Sequence, residues 1–589
     1  MVACAACPAN ARAARPGTTT VIAHAATISN GARPAGTAGT AGTAGTAGTT
    51  SSAASSSSES PVPVAPSNRP PAGRRLSSDR VLAIASALPK MRAVRAGYRG
   101  SYAGAYLKGP GRWQVSFFTA NGSQEIGQVI IADASGRVLE QWTGFQVAWT
   151  MARGYPGAFG RHVNSLYVWL PMCLLFVLPF VDFRRPFSLL HLDLLALLSF
   201  SVSLAFFNHA DIYASVPLAY PPLLYLLARM LALLWSGRRR PRLHLLVPAP
   251  WLALGLVFLV AFRITLNVTD SNVIDVGYAG VIGAERIVDG KSLYGSYPSD
   301  NEHGDTYGPV NYAAYVPFEQ IFGWSGTWDD LSAAHAAAIV FDLLAIGLLF
   351  LLGRRVRGPT LGLALAYAWA AYPFTLYALE SNSDDALVAV LVLATLLVAS
   401  SPPARGAFAA LAGMTKFAPL ALVPVLATHR LAPSRRGRAL QLLAFATAFA
   451  ATIALLAILA FAHDSLHTFI QRTIVYQADR GSPFSVWGLY GGLRGVQTAF
   501  AGAAIALAVM LAVVPRRGDL VGLAAACAAI LIAVQLCIDH WFYLYIPWFF
   551  GLAMLALLGV RAVPTAPEPA PEPASGSARS RPLAGAVSS

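Results

Sequence analysis

From Val163 onward, apolar stretches of roughly 17–22 residues follow one another almost to the end of the chain, the length that crosses about 30 Å of hydrocarbon at about 1.5 Å per residue. A series of this kind leaves few options, because only helices and closed barrels satisfy their own backbone groups in lipid. The expectation is an all-α polytopic membrane protein of about twelve transmembrane helices, centred near Leu174, Leu198, Leu224, Leu256, Leu343, Ala368, Val392, Ala450, Leu507, Ala528 and Leu552, plus an apolar piece over 407–427. With 55% hydrophobic and only 12% charged residues in 589, an ordinary cytosolic enzyme is excluded. A net charge of +15 would suggest nucleic acid in a soluble protein. Here the basic residues sit in short clusters between apolar runs, so the expected partner is a membrane surface and no nucleic acid.

Those clusters set an orientation. Arg184-Arg185, Arg238-Arg239-Arg240, Arg354-Arg355, Arg435-Arg436 and Arg516-Arg517 recur after roughly every second span, as cytoplasmic loops of a plasma-membrane protein do. The alternate loops then face outside, and the largest, 265–331, carries ten acidic residues against Arg286 and Lys291. The 407–427 piece breaks the alternation, since Arg405 and Arg435 on either side both belong inside. It is expected to enter the membrane and return, interrupted by Gly413, Pro419 and Pro424, with Lys416 at its middle.

Ahead of the spans, residues 1–88 are Ala, Gly, Thr, Ser and Pro, and with 563–589 they read as disordered tails flanking the 161–562 membrane domain. Residues 89–160 alternate apolar and polar in short runs, with Asn121-Gly122 and Ser135-Gly136 as turns, which predicts a small strand-rich extracytoplasmic domain. The stretch from Val129 to Gly144 resembles the strand-turn-strand of small α+β PepSY-like domains. The five cysteines are scattered and form no disulfide framework.

Among the polar residues, Thr269-Asp-Ser-Asn-Val-Ile-Asp275-Val-Gly-Tyr278 follows a span directly. A carboxylate there suits a general base at the membrane interface, and equally a helix N-cap. Glu380-Ser-Asn382-Ser-Asp384-Asp385 gathers acids and an amide at another outer turn, as caps or as hydroxyl-binding groups. His303 near Asp305 completes no tetrahedral ligand set, so no metal or other cofactor is expected.

Asp275 to Tyr278, then Asp289-Gly-Lys-Ser-Leu-Tyr294 and Tyr307-Gly-Pro-Val-Asn-Tyr-Ala-Ala-Tyr-Val-Pro317, resemble the first outer loop of the C-type membrane glycosyltransferases, closest to glycosyltransferase family 87. Gly413-Met-Thr-Lys416-Phe-Ala-Pro419 is similar to that family's intramembrane Lys-x-x-Pro segment, and Asp539-His540-Trp-Phe-Tyr543 to its aromatic outer turn. The similarity runs over about 245–560. It departs from the family in reading Tyr307-Gly308-Pro309 where Tyr-Pro-Pro is usual, and in the folded domain and three spans added at the front.

The resemblance implies transfer of a mannose- or arabinose-like sugar from polyprenyl phosphate to a lipid or glycan acceptor of the cell envelope, on the outer face and with inversion. It makes Asp275 the base, with Asp270 the runner-up or a neighbour that raises its pKa. The departing phosphate needs cations in low dielectric; Lys416, Arg472, Arg480 and His540 are the candidates. For Lys416 the alternative is snorkelling to an interface, and Arg263 at a span end is placed as another such cation or an anchor. Tyr278, Tyr307, Asn382, Asp384, Tyr476 and Trp487 are the candidate contacts to sugar or acceptor. A transporter or lipid flippase is the rival reading, since many spans with a broken segment and an intramembrane Lys also describe carriers.

Overall fold

The computed structural model describes residues 62–108, 111–120, 125–143, 162–208, 211–235, 245–298, 301, 303–326, 331–479, 482, 484–490, 492–514 and 518–559. Arg480, the Asn121-Gly122 turn, Arg238-Arg239-Arg240, Arg516-Arg517, residues 1–61 and 560–589 lie outside them.

Five strands, β1 (Val62–Val64), β2 (Tyr102–Leu107), β3 (Arg112–Phe118), β4 (Glu125–Ala132) and β5 (Val138–Thr143), form an antiparallel sheet in sequence order. Helices α1 (Ser78–Ala87) and α2 (Pro89–Ala96) cover one face. Period-two alternation sends Trp113, Val115 and Phe117 of β3 toward Val81, Ala85 and Met91 of the helices. The folded part begins earlier than residue 89: α1 puts Val81 and Ala85, one helical turn apart, onto the sheet. Asp133 locks the sheet to the chain before α1: it accepts from Trp113 Nε1 (3.0 Å), Leu76 N (3.0 Å) and Arg75 N (2.9 Å).

The rest is helical: α3 (Leu166–Val177), α4 (Leu189–Asn208), α5 (Ile212–Leu218), α6 (Tyr220–Trp235), α7 (Ala249–Asp270), α8 (Asp275–Val288), α9 (Pro309–Ala313), α10 (Val316–Phe322), α11 (Ser332–Arg357), α12 (Pro359–Ala371), α13 (Pro373–Glu380), α14 (Asp385–Leu397), α15 (Pro402–Gly413), α16 (Val423–Ala427), α17 (Arg435–Phe461), α18 (Leu466–Ile470), α19 (Tyr476–Asp479), α20 (Val486–Leu489), α21 (Arg494–Val513), α22 (Leu520–Gln535) and α23 (Ile546–Leu558). Among the described residues six helical stretches are long and apolar enough to span a bilayer, with five shorter apolar ones beside them. Prolines restart the chain inside expected spans, as Pro373 does between α12 and α13, so an expected span is not always one long helix. Helix α17 has only 6% of its apolar window buried within the protein, so lipid is what covers it.

The helices share two ends of opposite character. At one, Arg357 donates to Leu558 O (3.1 Å) and Arg430 to Gly518 O (2.6 Å), near Arg354, Arg355 and Arg405. At the other lie the C-terminus of α7, the N-terminus of α8, the Glu380–Asp385 turn and Lys416. The 407–427 segment does run out and back: α15 leaves the basic end, Lys416 is the apex, and a 3₁₀ turn (Ala418–Leu422) and α16 return. Between the ends, Arg263 is wholly buried and forks onto Asp342 (3.0 and 2.5 Å), joining α7 to α11. It is an interior clamp, neither an anchor nor a free cation.

Candidate active site

The acidic end is assembled by main-chain contacts before any side chain acts. Asn272 N donates to Glu380 O (3.2 Å) and Ile274 N to Ser381 O (3.1 Å), laying the start of α8 on the 380–385 turn. That turn needs a left-handed residue, and Asn382 takes it at φ 52°. The Asn382 side chain then pins the turn, donating to Ser271 Oγ (2.8 Å) and Asn272 O (2.9 Å) while accepting from Asn267 Nδ2 (2.8 Å). Asp275, half-buried, opens α8 directly above, and its backbone carbonyl accepts from Asn301.

A second set of main-chain bonds brings in the apex of the returning hairpin. Gly308 N donates to Thr415 O and Val310 N to Met414 O, both at 3.1 Å. A Cβ at Gly308 would lie 2.0 Å from Met414 O, so only glycine permits this approach. Tyr307 is thereby set against Lys416.

Lys416 Nζ is the centre of the site. It lies 2.6 Å from Asp384 Oδ1 and 2.7 Å from Asp385 Oδ1. The rings of Tyr307 (5.4 Å), Trp548 (5.4 Å) and Tyr545 (5.7 Å) surround it. At 8% exposure the side chain is enclosed and does not snorkel. Asp385 is fully occupied, with Trp548 Nε1 (2.9 Å) sharing Oδ1 and Ser383 Oγ (2.7 Å) on Oδ2. Burial pushes the Tyr307 phenol well above its usual pKa. Lys416 opposes the shift and Asp275 and Asp384 add to it, so all three act on one hydroxyl.

The other candidates divide. His540 stands beside this centre, its Nδ1 2.8 Å from Ser482 Oγ and its ring 6.2 Å from that of Tyr545. Asp270 is engaged elsewhere, by His162 N (2.7 Å) and Nδ1 (2.8 Å). Arg472 donates to Asp305 (2.6 Å), which also accepts from Gly295 N (2.5 Å). With Asp464, which takes Leu293 N (2.7 Å), these contacts hold the Gly290–Gly295 turn. Tyr476 stacks on His303 at 4.4 Å, Tyr278 is buried against Trp324, and Trp487 donates to Leu536 O (3.0 Å). Asp385 was read from sequence only as one acid of the 380–385 turn, and Trp548 was not singled out. The signal for the first was its adjacency to Asp384, and for Trp548 its position three residues after Tyr545, on one helical face.

An ammonium held by two carboxylates within an aromatic wall, next to a half-buried carboxylate at a helix start, is an arrangement for proton and anion handling at the end of a membrane bundle. Residues 306–566 match the family model of glycosyltransferase family 87. No curated protein matches the chain. The matched segment takes in Tyr307, the 380–385 turn, Lys416, His540 and Trp548, and begins after Asp275. The family indicates a membrane glycosyltransferase, in keeping with the apolar helices.

Proposed function

We propose that the protein transfers a sugar, mannose- or arabinose-like, from a polyprenyl-phosphate donor to a cell-envelope acceptor. The reaction takes place on the extracytoplasmic face of the plasma membrane, with inversion. The observation that carries this reading is the convergence of Asp275, Tyr307, Asp384 and Lys416, from four separate parts of the chain, at the acidic end of a bundle whose other end is rich in arginine. Arginine-rich ends stay cytoplasmic, which favours the opposite end as the outer one.

In the reaction an acceptor hydroxyl attacks the anomeric carbon, the bond from that carbon to the phosphate oxygen breaks with its electron pair, and Asp275 takes the hydroxyl proton. The leaving phosphate gains a second negative charge. Two of the three Lys416 donors are committed to Asp384 and Asp385, so one N–H is left for a phosphate oxygen. With both carboxylates ionised, Lys416 and its partners sum to one negative charge. His540 is the further group that can offset the phosphate.

The test is incubation of purified protein with a panel of labelled polyprenyl-phosphate sugars, comparing wild type with Asp275→Asn. Wild type is expected to transfer and Asp275→Asn to lose at least about a hundredfold in kcat, with donor binding retained. Equal rates in both proteins would remove Asp275 from the chemistry.

A further inference from the structure

The turn that carries Asp384 and Asp385 is held by side chains whose donors and acceptors can be assigned one after another, starting from backbone carbonyls, which only accept. Asn382 directs Nδ2 at Asn272 O (2.9 Å), so its Oδ1 is the atom turned to Asn267. Asn267, 0% exposed, directs Nδ2 at Leu379 O (2.9 Å) and at Asn382 Oδ1 (2.8 Å). Both of its donors are then spent, and its Oδ1 is left to accept. Ser271 Oγ gives its proton to Asn267 O (2.7 Å) and accepts from Asn382 Nδ2 (2.8 Å).

Against these two acceptors stands a residue from another helix. His335, half-buried in the first turn of α11, places Nδ1 3.1 Å from Asn267 Oδ1 and 3.2 Å from Ser271 Oγ. Neither oxygen has a proton to offer, so Nδ1 carries one. Turning the Asn267 amide over gives no alternative, because its oxygen would then face Leu379 O and Asn382 Oδ1. The bonds therefore run from α11 through α7 to Asn382, the left-handed residue of the turn at φ 52°. From the turn, Glu380 O and Ser381 O take Asn272 N and Ile274 N at the start of α8. Asp275 directly follows Ile274, and Asp384 stands just beyond Asn382 with Lys416 on it.

Resting on the glycosyltransfer reading above, we infer that His335 is a positioning residue for this site. Its Nδ1–H fixes the amide of Asn267, which fixes Asn382, and the relay keeps the proposed base Asp275 in register with the Lys416 ion cluster. What the site takes from His335 is one hydrogen-bond donor at one place; the ring itself touches neither sugar nor phosphate.

Two measurements test this. In protein carrying isotope-labelled histidine, nitrogen NMR should show the neutral His335 ring with its proton on Nδ1, the signal being assigned by its loss in His335→Asn. A neutral ring protonated on Nε2 would overturn the relay whatever the enzyme does. The second measurement is kcat for sugar transfer. His335→Asn keeps a donor, Nδ2, where Nδ1 stood, and should stay within about threefold of wild type. His335→Ala removes the donor and should lose roughly tenfold, the worth of one hydrogen bond to a buried group. His335→Asp sets an acceptor against two acceptors and should lose at least as much, even though an acid in the first turn of α11 suits the helix. An Asn variant as poor as Ala, or an Asp variant as good as wild type, would refute the inference. If wild type transfers no sugar from any donor, the glycosyltransfer reading fails, and the position of the ring proton still decides the relay.

Discussion

Replacing Lys416 by Met separates a keyed ion from a snorkelling one. Each Nζ-to-carboxylate contact, at 2.6 and 2.7 Å, is worth about 6 kcal/mol of Coulomb attraction at an effective dielectric near 20. That gain is offset by several kcal/mol of desolvation per ion. Removing the cation alone keeps the desolvation cost and loses the attraction. Asp385 still has Trp548 and Ser383, but Asp384 is left with nothing. The expected loss is about 3–5 kcal/mol of stability. Adding Asp384→Asn to Lys416→Met takes away the stranded charge and should restore most of that loss without restoring transfer. The assay is the thermal midpoint in one detergent at one scan rate, read by tryptophan fluorescence, since unfolding of such proteins is rarely reversible. A Lys416→Met protein that melts with wild type, or a double variant less stable than the single one, would refute the account of a buried, doubly paired ammonium.

Other outcomes follow from the geometry. Gly308→Ala puts a methyl against the Met414 carbonyl and should cost about 1–3 kcal/mol. Because the strain falls on the Tyr307–Lys416 contact, transfer should drop more than tenfold while protein abundance changes less, as measured by initial rates at matched enzyme concentration. In the small sheet, burial alone would raise the Asp133 pKa, but the Leu76 and Arg75 amides, the Trp113 indole and Arg74 outweigh it and hold the carboxyl below its ordinary value. Its stabilising contribution is therefore complete above an unfolded value of about 3.9 and is lost as pH falls through the lowered folded one. Fluorescence of Trp113, which donates to Asp133, should report an acid transition that Asp133→Asn abolishes; an unchanged transition would clear Asp133 of the role.

Much of the architecture was legible because the costs that shape it are local. An apolar run of spanning length, an Arg cluster, and a Lys flanked by Gly413 and Pro419 each violate solvation unless the chain does one particular thing. The out-and-back path of 407–427 followed from the placement of Arg405 and Arg435 together with Gly413, Pro419 and Pro424. The site was readable only as far as single residues announce themselves. Asp270 and Asp275 look alike in sequence, five residues apart. What distinguishes them is His162, more than a hundred positions earlier, which claims Asp270. Arg472 reads as a phosphate ligand until Asp305, from another loop, is found on it. The prolines that cut α12 from α13 shorten helices without changing hydropathy, so hydropathy alone does not fix the number of spans.

The paired main-chain bonds from Gly308 and Val310 to the hairpin apex have a kinetic consequence. They rivet the aromatic loop to the lysine turn, so phenol and ammonium travel as one piece with their 5.4 Å spacing kept. On the proposed reaction, a polyprenyl-phosphate donor would enter by parting some other seam of the bundle, and each arriving sugar would meet the same fixed jaw.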